Sequence, residues 1–529
     1  MAHRLPVRVL CAICADFQES EVYRKILTAG GWTLVSRITG FLRDVIMAAV
    51  MGAGPLTDAF TVAFRLPNHF RAIFAEGAFN DAFVPNYASA LELEGREAAR
   101  AFAGRVFSLM LAIQIIILVA AFLAMPWVVR TLAPGFADNP ESFALAVSLT
   151  RITFPYLLFI ALLTVLGGIL AAHGRFAAFN AAPVLLSLSM IAALGVAWLF
   201  PNTAYAAAWG VSISGVLQFL LVWGAAARAG IAPPLAWPRL DKAMRRFFRT
   251  LLPSVVGSAG TQIALFADTI IGTLLPAASL SALYYADRLF QLPLGVIAIA
   301  VGTVLLPEMT RLVAGGRNDD AHRAQNRAIA FALALTAPFF VAFLVIPDMI
   351  VAAAFMRGKF GAEAVSLSAS VLAAYGFGLP AIVLIRSAVA SFRSRLDMVT
   401  PLIASMTAVA VNVALKFVLM GPFGIAGLAF ATAIGAWLNL AILTFLACRR
   451  GWMAPSKTLA RILLAVAVSS LLLAVFAFFG RAPVVTLTAS LSRWHKEIEL
   501  VLLGSAGAII YGAALFAGLK AFGIKLSRK

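Results

Sequence analysis

Four arginines, Arg37, Arg43, Arg65 and Arg71, lie in or beside the first two long apolar stretches of the chain, with Asp44, Asp58 and Glu76 among them. Arg288 stands next to Asp287 in a later apolar stretch. A guanidinium presents a planar fork of donors that matches phosphate oxygens two at a time. Several such forks around one cavity suit a phosphate or pyrophosphate. A cation at the centre of a membrane helix costs about 2.5–3.5 kcal/mol on insertion scales, so it marks a bundle interior or a watery cavity. Snorkelling near a span end, or a structural ion pair, is the alternative. On a helix Arg37 and Gly40 share a face, as do Gly40 and Asp44. Arg37 and Arg43 sit about 120° apart. Asp44 can pair an arginine and hold it in position.

Other chemistry finds less support. No G-x-x-x-x-G-K-[ST] loop occurs, since Gly358-Lys359 is followed by Phe360, and this argues against an ATP-driven pump. His3, His69, His173, His322 and His495 are scattered without metal-ligand spacing. No G-x-S-x-G nucleophile elbow appears. Cys11 and Cys14 form an isolated C-x-x-C and Cys448 is far away, so neither a metal site nor a disulfide framework is expected. The expectation is therefore no catalytic residue, no metal and no cofactor.

The elements that position these arginines must be membrane helices. Of the 529 residues, 62% are hydrophobic and 12% charged, with mean hydropathy +0.95. A soluble chain is nearer 45–50% apolar and about 25% charged. Soluble enzymes, disordered chains and ordinary nucleic-acid binders are excluded. The apolar runs lack the alternation of barrel strands. The expected fold is all-α and polytopic, with about fourteen spans near 26–50, 57–85, 104–129, 143–171, 177–200, 203–226, 250–275, 279–309, 324–347, 364–391, 399–420, 422–447, 458–480 and 499–524.

Charge then sets orientation. With both termini cytoplasmic, about 28 of the 42 basic residues fall in inside loops and tails, and about 6 outside. About 8 remain in or near spans: Arg37, Arg43, Arg65, Arg71, Arg151, Arg288, Arg386 and Lys416. The net charge of +19 thus has mostly a topological origin.

The expected organisation is a cytoplasmic tail at 1–24, a first six-span lobe at 25–226, a basic cytoplasmic linker at 227–249, a second six-span lobe at 250–448, and two added spans with the C-terminus at 449–529. The lobes echo each other. Asp44 precedes Arg65-Leu66 much as Asp268 precedes Arg288-Leu289, each across a short outside turn. Repeated halves are common in secondary transporters, with the substrate site between them. Pro67, Pro155, Gly167-Gly168, Pro183, Pro253, Pro293, Pro307 and Pro380 punctuate the spans, as kink or packing residues.

The segments SRITGFLRD (36–44), GAGPLTDAF (52–60), FRLPN (64–68) and FAEGAFNDAFVP (74–85) carry a specific resemblance. So do APGF (133–136), RITFPY (151–156), YYADRL (284–289) and GTVLLP (302–307). Over about residues 25–525 the sequence resembles the MurJ (MviN) lipid II flippase family, of the multidrug/oligosaccharidyl-lipid/polysaccharide exporter superfamily. The resemblance implies two pseudo-symmetric six-helix lobes plus two helices that form a groove for a lipid tail. It implies transfer of an undecaprenyl-pyrophosphate-linked disaccharide-pentapeptide, a peptidoglycan precursor, from the cytoplasmic to the periplasmic leaflet of the bacterial inner membrane. Family arginines fall on Arg37, Arg43, Arg71 and Arg288, and family acids on Asp44, Asp58 and Glu76. Lipid II and membrane lipids are the implied partners; cell-wall synthesis proteins stay open, and so does coupling to the membrane potential or a monovalent cation.

One departure stands out. In some members a sodium site uses an acid in span seven, an Asn and an acid in span eleven, and a Thr in span twelve. Here these positions read Asp268, Asn412, Lys416 and Thr432. An ammonium repels sodium. Lys416 is expected to pair with Asp268 as a tethered cation, with snorkelling as the alternative. The nearest rival function is a drug or polysaccharide-lipid exporter of the same architecture, for which a less cationic cavity is expected. A membrane enzyme on lipid-linked sugars is disfavoured, because the loops are short and basic.

Overall fold

The computed structural model describes residues 30–74, 78–237, 239, 241–490 and 494–524; Cys11, Cys14 and Glu76 lie outside them, as does the side chain of Arg71. Every regular element among the described residues is helical. We number them α1 (30–51), α2 (Pro55–Phe74), α3 (Ala78–Leu93), α4 (Arg96–Leu132), α5 (Pro140–Thr153), α6 (Pro155–Ala172), α7 (Ala177–Gly195) and α8 (Thr203–Arg228). There follow α9 (Lys242–Thr273), α10 (Ser279–Ala314), α11 (Asn318–Val345), α12 (Pro347–Phe355), α13 (Ala362–Arg393), α14 (Val399–Arg449), α15 (Lys457–Thr488) and α16 (His495–Ala521). Among the described residues nine helical segments are long and apolar enough to cross a membrane.

The residues form two compact units. The first contains Ala59–Leu132, Ala137–Gln262 and the chain up to Met47; the second contains Ala48–Asp58, Ala133–Phe136 and the chain from Ile263. The expected linker at 227–249 is tied into the first unit. Its start ends α8, its last residues open α9, and its middle lies on α4. There the Ala236 N–H donates to Ser108 Oγ at 2.9 Å and Arg105 pairs with Asp241.

In the first unit Phe79, Phe83 and Tyr87 recur every four residues on α3 and stack along one face, with centroids 5.3 and 5.7 Å apart. Phe102 of α4 stacks on Phe83 at 5.8 Å, and Phe247 of α9 meets this column edge-on. Such pairs contribute about 0.5–1.5 kcal/mol each. Gly168 on α6 leaves room for the Phe83 ring, which a Cβ would approach to 2.7 Å. Span four is two helices. Pro155 cannot donate a backbone bond, and α5 and α6 adjoin at Phe154, which keeps helical φ −62° and ψ −36°.

In the second unit α14 has 51 residues, about 77 Å of helix at 1.5 Å per residue, too long for one crossing of a 30 Å core. Gly424, at φ 53° and ψ −134°, breaks it. The arms fold back so closely that a Cβ on Gly435 would lie 2.9 Å from the Asn412 Cβ. The expected spans 399–420 and 422–447 correspond to these arms. Here α15 and α16 pack on α11, where the Tyr511 hydroxyl donates to the Ala334 carbonyl at 2.8 Å.

Candidate functional site

In the first unit, α1 carries Arg43 and Asp44, 7% and 2% exposed. Arg43 Nε and Nη2 both donate to Asp44 Oδ1, at 2.9 and 2.7 Å. Asp44 thus holds its neighbour in sequence. Arg65 on α2 is half-buried, and Arg37 on α1 is exposed. One helical turn from Arg65, Asn68 borders a cavity of about 380 Å³, together with Ser36, Tyr156, Thr164, Asn180 and Gln218. Sequence reasoning did not single out Thr164, Asn180 or Gln218. Their signal was a polar side chain inside an otherwise apolar span, which is a functional pointer in membranes.

In the second unit Arg288 is half-buried, and its guanidinium carbon lies 4.7 Å from the centroid of the Tyr284 ring one turn earlier. That cation–π contact orients the fork. Asp58 takes a structural position. Helix α10 starts at Ala278, which has φ 72° and no side-chain oxygen to cap with. Asp58 supplies the cap: it accepts from Ala278 N at 2.8 Å, from Ser281 N at 2.7 Å, and from the Ser281 hydroxyl. The GAGPLTDAF segment is thereby fastened to α10. Gly52, at φ 72°, accepts from Thr57 Oγ1 and Tyr285 Oη, and a Cβ there would meet the Lys359 carbonyl at 2.7 Å. Gly135 of APGF fits against the Thr273 backbone with no space for a Cβ. These glycines serve close backbone approach.

Lys416 is fully buried, and its Nζ lies 2.7 Å from Asp268 Oδ1, an off-axis charge contact. Asn412 lies one turn before Lys416, and its buried amide oxygen has no hydrogen-bond partner among the described residues. Thr432 donates to its own helix, at the Leu428 carbonyl, 3.1 Å. An ammonium against the one carboxylate of this set does not fit a sodium ion. Among the described residues no cluster of His, Cys, Asp and Glu could hold a metal.

A third feature of the second unit is apolar. A cavity of about 470 Å³ opens between α11, α13 and α15, lined by Leu333, Phe340, Leu344, Leu463, Leu471 and Ala474 among others.

Membrane-length helices, punctuated by prolines and carrying the buried Arg43, define a polytopic helical membrane protein. Solved structures agree on that fold. One is "Lipid II flippase MurJ, inward closed conformation", with TM-score 0.76, 23% identity, and coverage of 93% of this chain and 99% of that one. Another is an inward-facing multidrug resistance MATE family transporter of the MOP superfamily, with TM-score 0.67, 15% identity, and coverage of 80% and 97%. A sequence model described as "Lipid II flippase MurJ" matches residues 47–503. A probable lipid II flippase MurJ from Rhizobium meliloti (strain 1021) is 41% identical over 448 residues, 84% of each chain. A lipid II flippase MurJ from Burkholderia cenocepacia is 33% identical over 442 residues, 82% of this chain and 86% of that one. The chain belongs to the lipid II flippase MurJ family, whose members are multi-pass inner-membrane transporters.

Proposed function

We propose that the protein moves lipid II from the cytoplasmic to the periplasmic leaflet by alternating access, with its pyrophosphate held by arginines. The observation that carries this reading is Arg43, a buried guanidinium on an apolar helix, fixed by the adjacent Asp44. A charged pair kept inside a membrane-spanning helix is a default candidate for a substrate contact. Arg37, Arg65, Arg71 and Arg288 are proposed as further forks for the same anion. Asp44 positions Arg43 and Tyr284 positions Arg288, while Asp58 secures the start of α10. Glu76 remains a proposed member of the set on the resemblance alone.

The headgroup is too polar to cross hydrocarbon unaided. The hydroxyl- and amide-lined cavity beside Ser36 and Asn68 suits its sugars or peptide. The apolar cavity by α15 suits the isoprenoid tail, which never needs to leave an oily environment. The reading includes fourteen spans, both termini in the cytoplasm and no chemical step. The membrane potential offers about 2.3 kcal/mol per charge per 100 mV. Lys416 acts as a built-in cation at Asp268, so transport runs without sodium, and Lys416→Glu makes it sodium-sensitive.

Complementation tests this. In cells depleted of their own flippase the protein should restore growth. Arg43→Ala or Arg288→Ala should abolish the rescue while membrane abundance stays normal. Full rescue by both variants contradicts the arginine-bound intermediate.

A further inference from the structure

The first unit also holds a cationic cavity, of about 400 Å³, lined by none of the arginines discussed above. Its wall comes from Tyr87 and Leu91 on α3, Arg96, Glu97 and Arg100 on α4, His173 and Arg175 after α6, and the turn at 229–231. We propose that this cavity binds a phosphate-bearing anion at the membrane border, either a lipid headgroup or a soluble phosphate.

Three observations carry the proposal. First, the arginines are unneutralised: among the described residues no carboxylate lies within ion-pair distance of Arg96, Arg100 or Arg175, although nearby Arg105 is paired with Asp241. Three forks facing one Glu leave an excess of positive charge, and forked donors favour an oxyanion with several oxygens. Second, α4 begins here. The N–H groups of Arg96 and Glu97 precede the first bond of the helix, from Ala99 N to the Gly95 carbonyl at 3.1 Å. The positive end of a 37-residue helix therefore adds to the same field. Third, the inner wall is a Tyr87 hydroxyl 3.1 Å from His173 Nε2. Burial pushes the imidazole below its ordinary range, and the Arg96 and Arg175 charges add to that push. Leu93, 80% exposed, ends α3 next to these charges, an apolar and basic pairing that suits a membrane border.

The groups facing His173 are Tyr87, Arg96, Glu97, Arg100 and Arg175. An anion bound here stabilises the imidazolium, so binding and protonation are linked, and anion affinity rises as pH falls through the depressed His173 value.

The test uses the full chain with Arg37→Ala, Arg43→Ala, Arg65→Ala, Arg71→Ala and Arg288→Ala in the background, which removes the proposed substrate arginines from the readout. Pyrophosphate binding is measured by calorimetry in detergent. Retention of phosphatidylglycerol over phosphatidylcholine is measured by native mass spectrometry from nanodiscs. The triple variant Arg96→Gln, Arg100→Gln, Arg175→Gln should weaken binding about tenfold or more in at least one arm. A loss confined to pyrophosphate assigns a soluble phosphate, and a loss confined to phosphatidylglycerol assigns a headgroup. Unchanged affinity in both arms, or no binding in either, overturns the proposal. If the triple variant does not fold, sulfate decides, since it stays dianionic across pH 5–8. Sulfate should bind tighter toward pH 5 in the background protein, and His173→Asn should flatten that dependence. Identical pH profiles overturn the proposal.

Discussion

At the scale of single residues, the buried Lys416–Asp268 pair has the largest energetic stake. Removing one partner of such a pair leaves an uncompensated buried charge, at about 3–5 kcal/mol. Lys416→Met should therefore lower the thermal unfolding midpoint of the purified protein sharply. Lys416→Met combined with Asp268→Asn should recover most of the loss, and equal losses in both would show that the pair is not the cause. Asp58→Ala should cost about 1 kcal/mol, as for a lost helix cap, because Ala278 and Ser281 then start α10 without an acceptor. Much at this scale was legible in the sequence. Cations within apolar spans are rare enough to stand out, so Arg43, Arg288 and Lys416 declared themselves. The cap at α10 was not legible. Asp58 and Ser281 are 223 positions apart, and spacing along a chain carries no information about such a contact.

At the scale of elements, two junctions bear on the fold. Gly424 sits where L side chains rarely go, yet nothing lies within 4 Å of its would-be Cβ. Gly424→Ala should thus be destabilising by about 1–3 kcal/mol through backbone strain alone, and an unchanged unfolding midpoint would contradict the assigned turn. Asp397 opens α14 by accepting from Thr400 N at 2.9 Å, Thr400 Oγ1 at 2.7 Å and Arg450 Nη1 at 2.7 Å. The Thr400 backbone and hydroxyl bonds, then Arg450, hold its carboxyl below the usual range. A depressed acid stabilises fully above its unfolded value, near 3.9, and loses that contribution as pH falls through the folded value. The difference in midpoint between the wild type and Asp397→Asn should persist from neutral pH to about 5 and shrink below about 3.9. The apolar periods located most helices, because membrane length is written in consecutive residues. They gave only the rough limits of the arms around Gly424, while the break between α5 and α6 falls at Pro155, one of the residues read as punctuating the spans. Local φ and ψ depend on one proline or glycine rather than on average hydropathy.

At the scale of the whole molecule, charge separates into kinds with different work. Of the basic residues expected outside, Arg357, Arg481 and Lys496 are paired with Glu497, Asp348 and Glu499. Arg96, Arg100 and Arg175, expected inside, stay unpaired among the described residues and fit a surface that meets anionic headgroups. Arg43 and Arg288 belong to neither class, and the account rests on them. Flipping measured in purified proteoliposomes tests it most directly. Fluorescent lipid II is incorporated in both leaflets, and the fraction reached by an external, membrane-impermeant quencher is followed with time. Wild-type protein should carry that fraction from about half toward complete access. Arg43→Ala and Arg288→Ala should stay at the protein-free level while reconstituting equally well. Wild-type rates in both variants would contradict the claim that arginines inside the membrane carry the pyrophosphate.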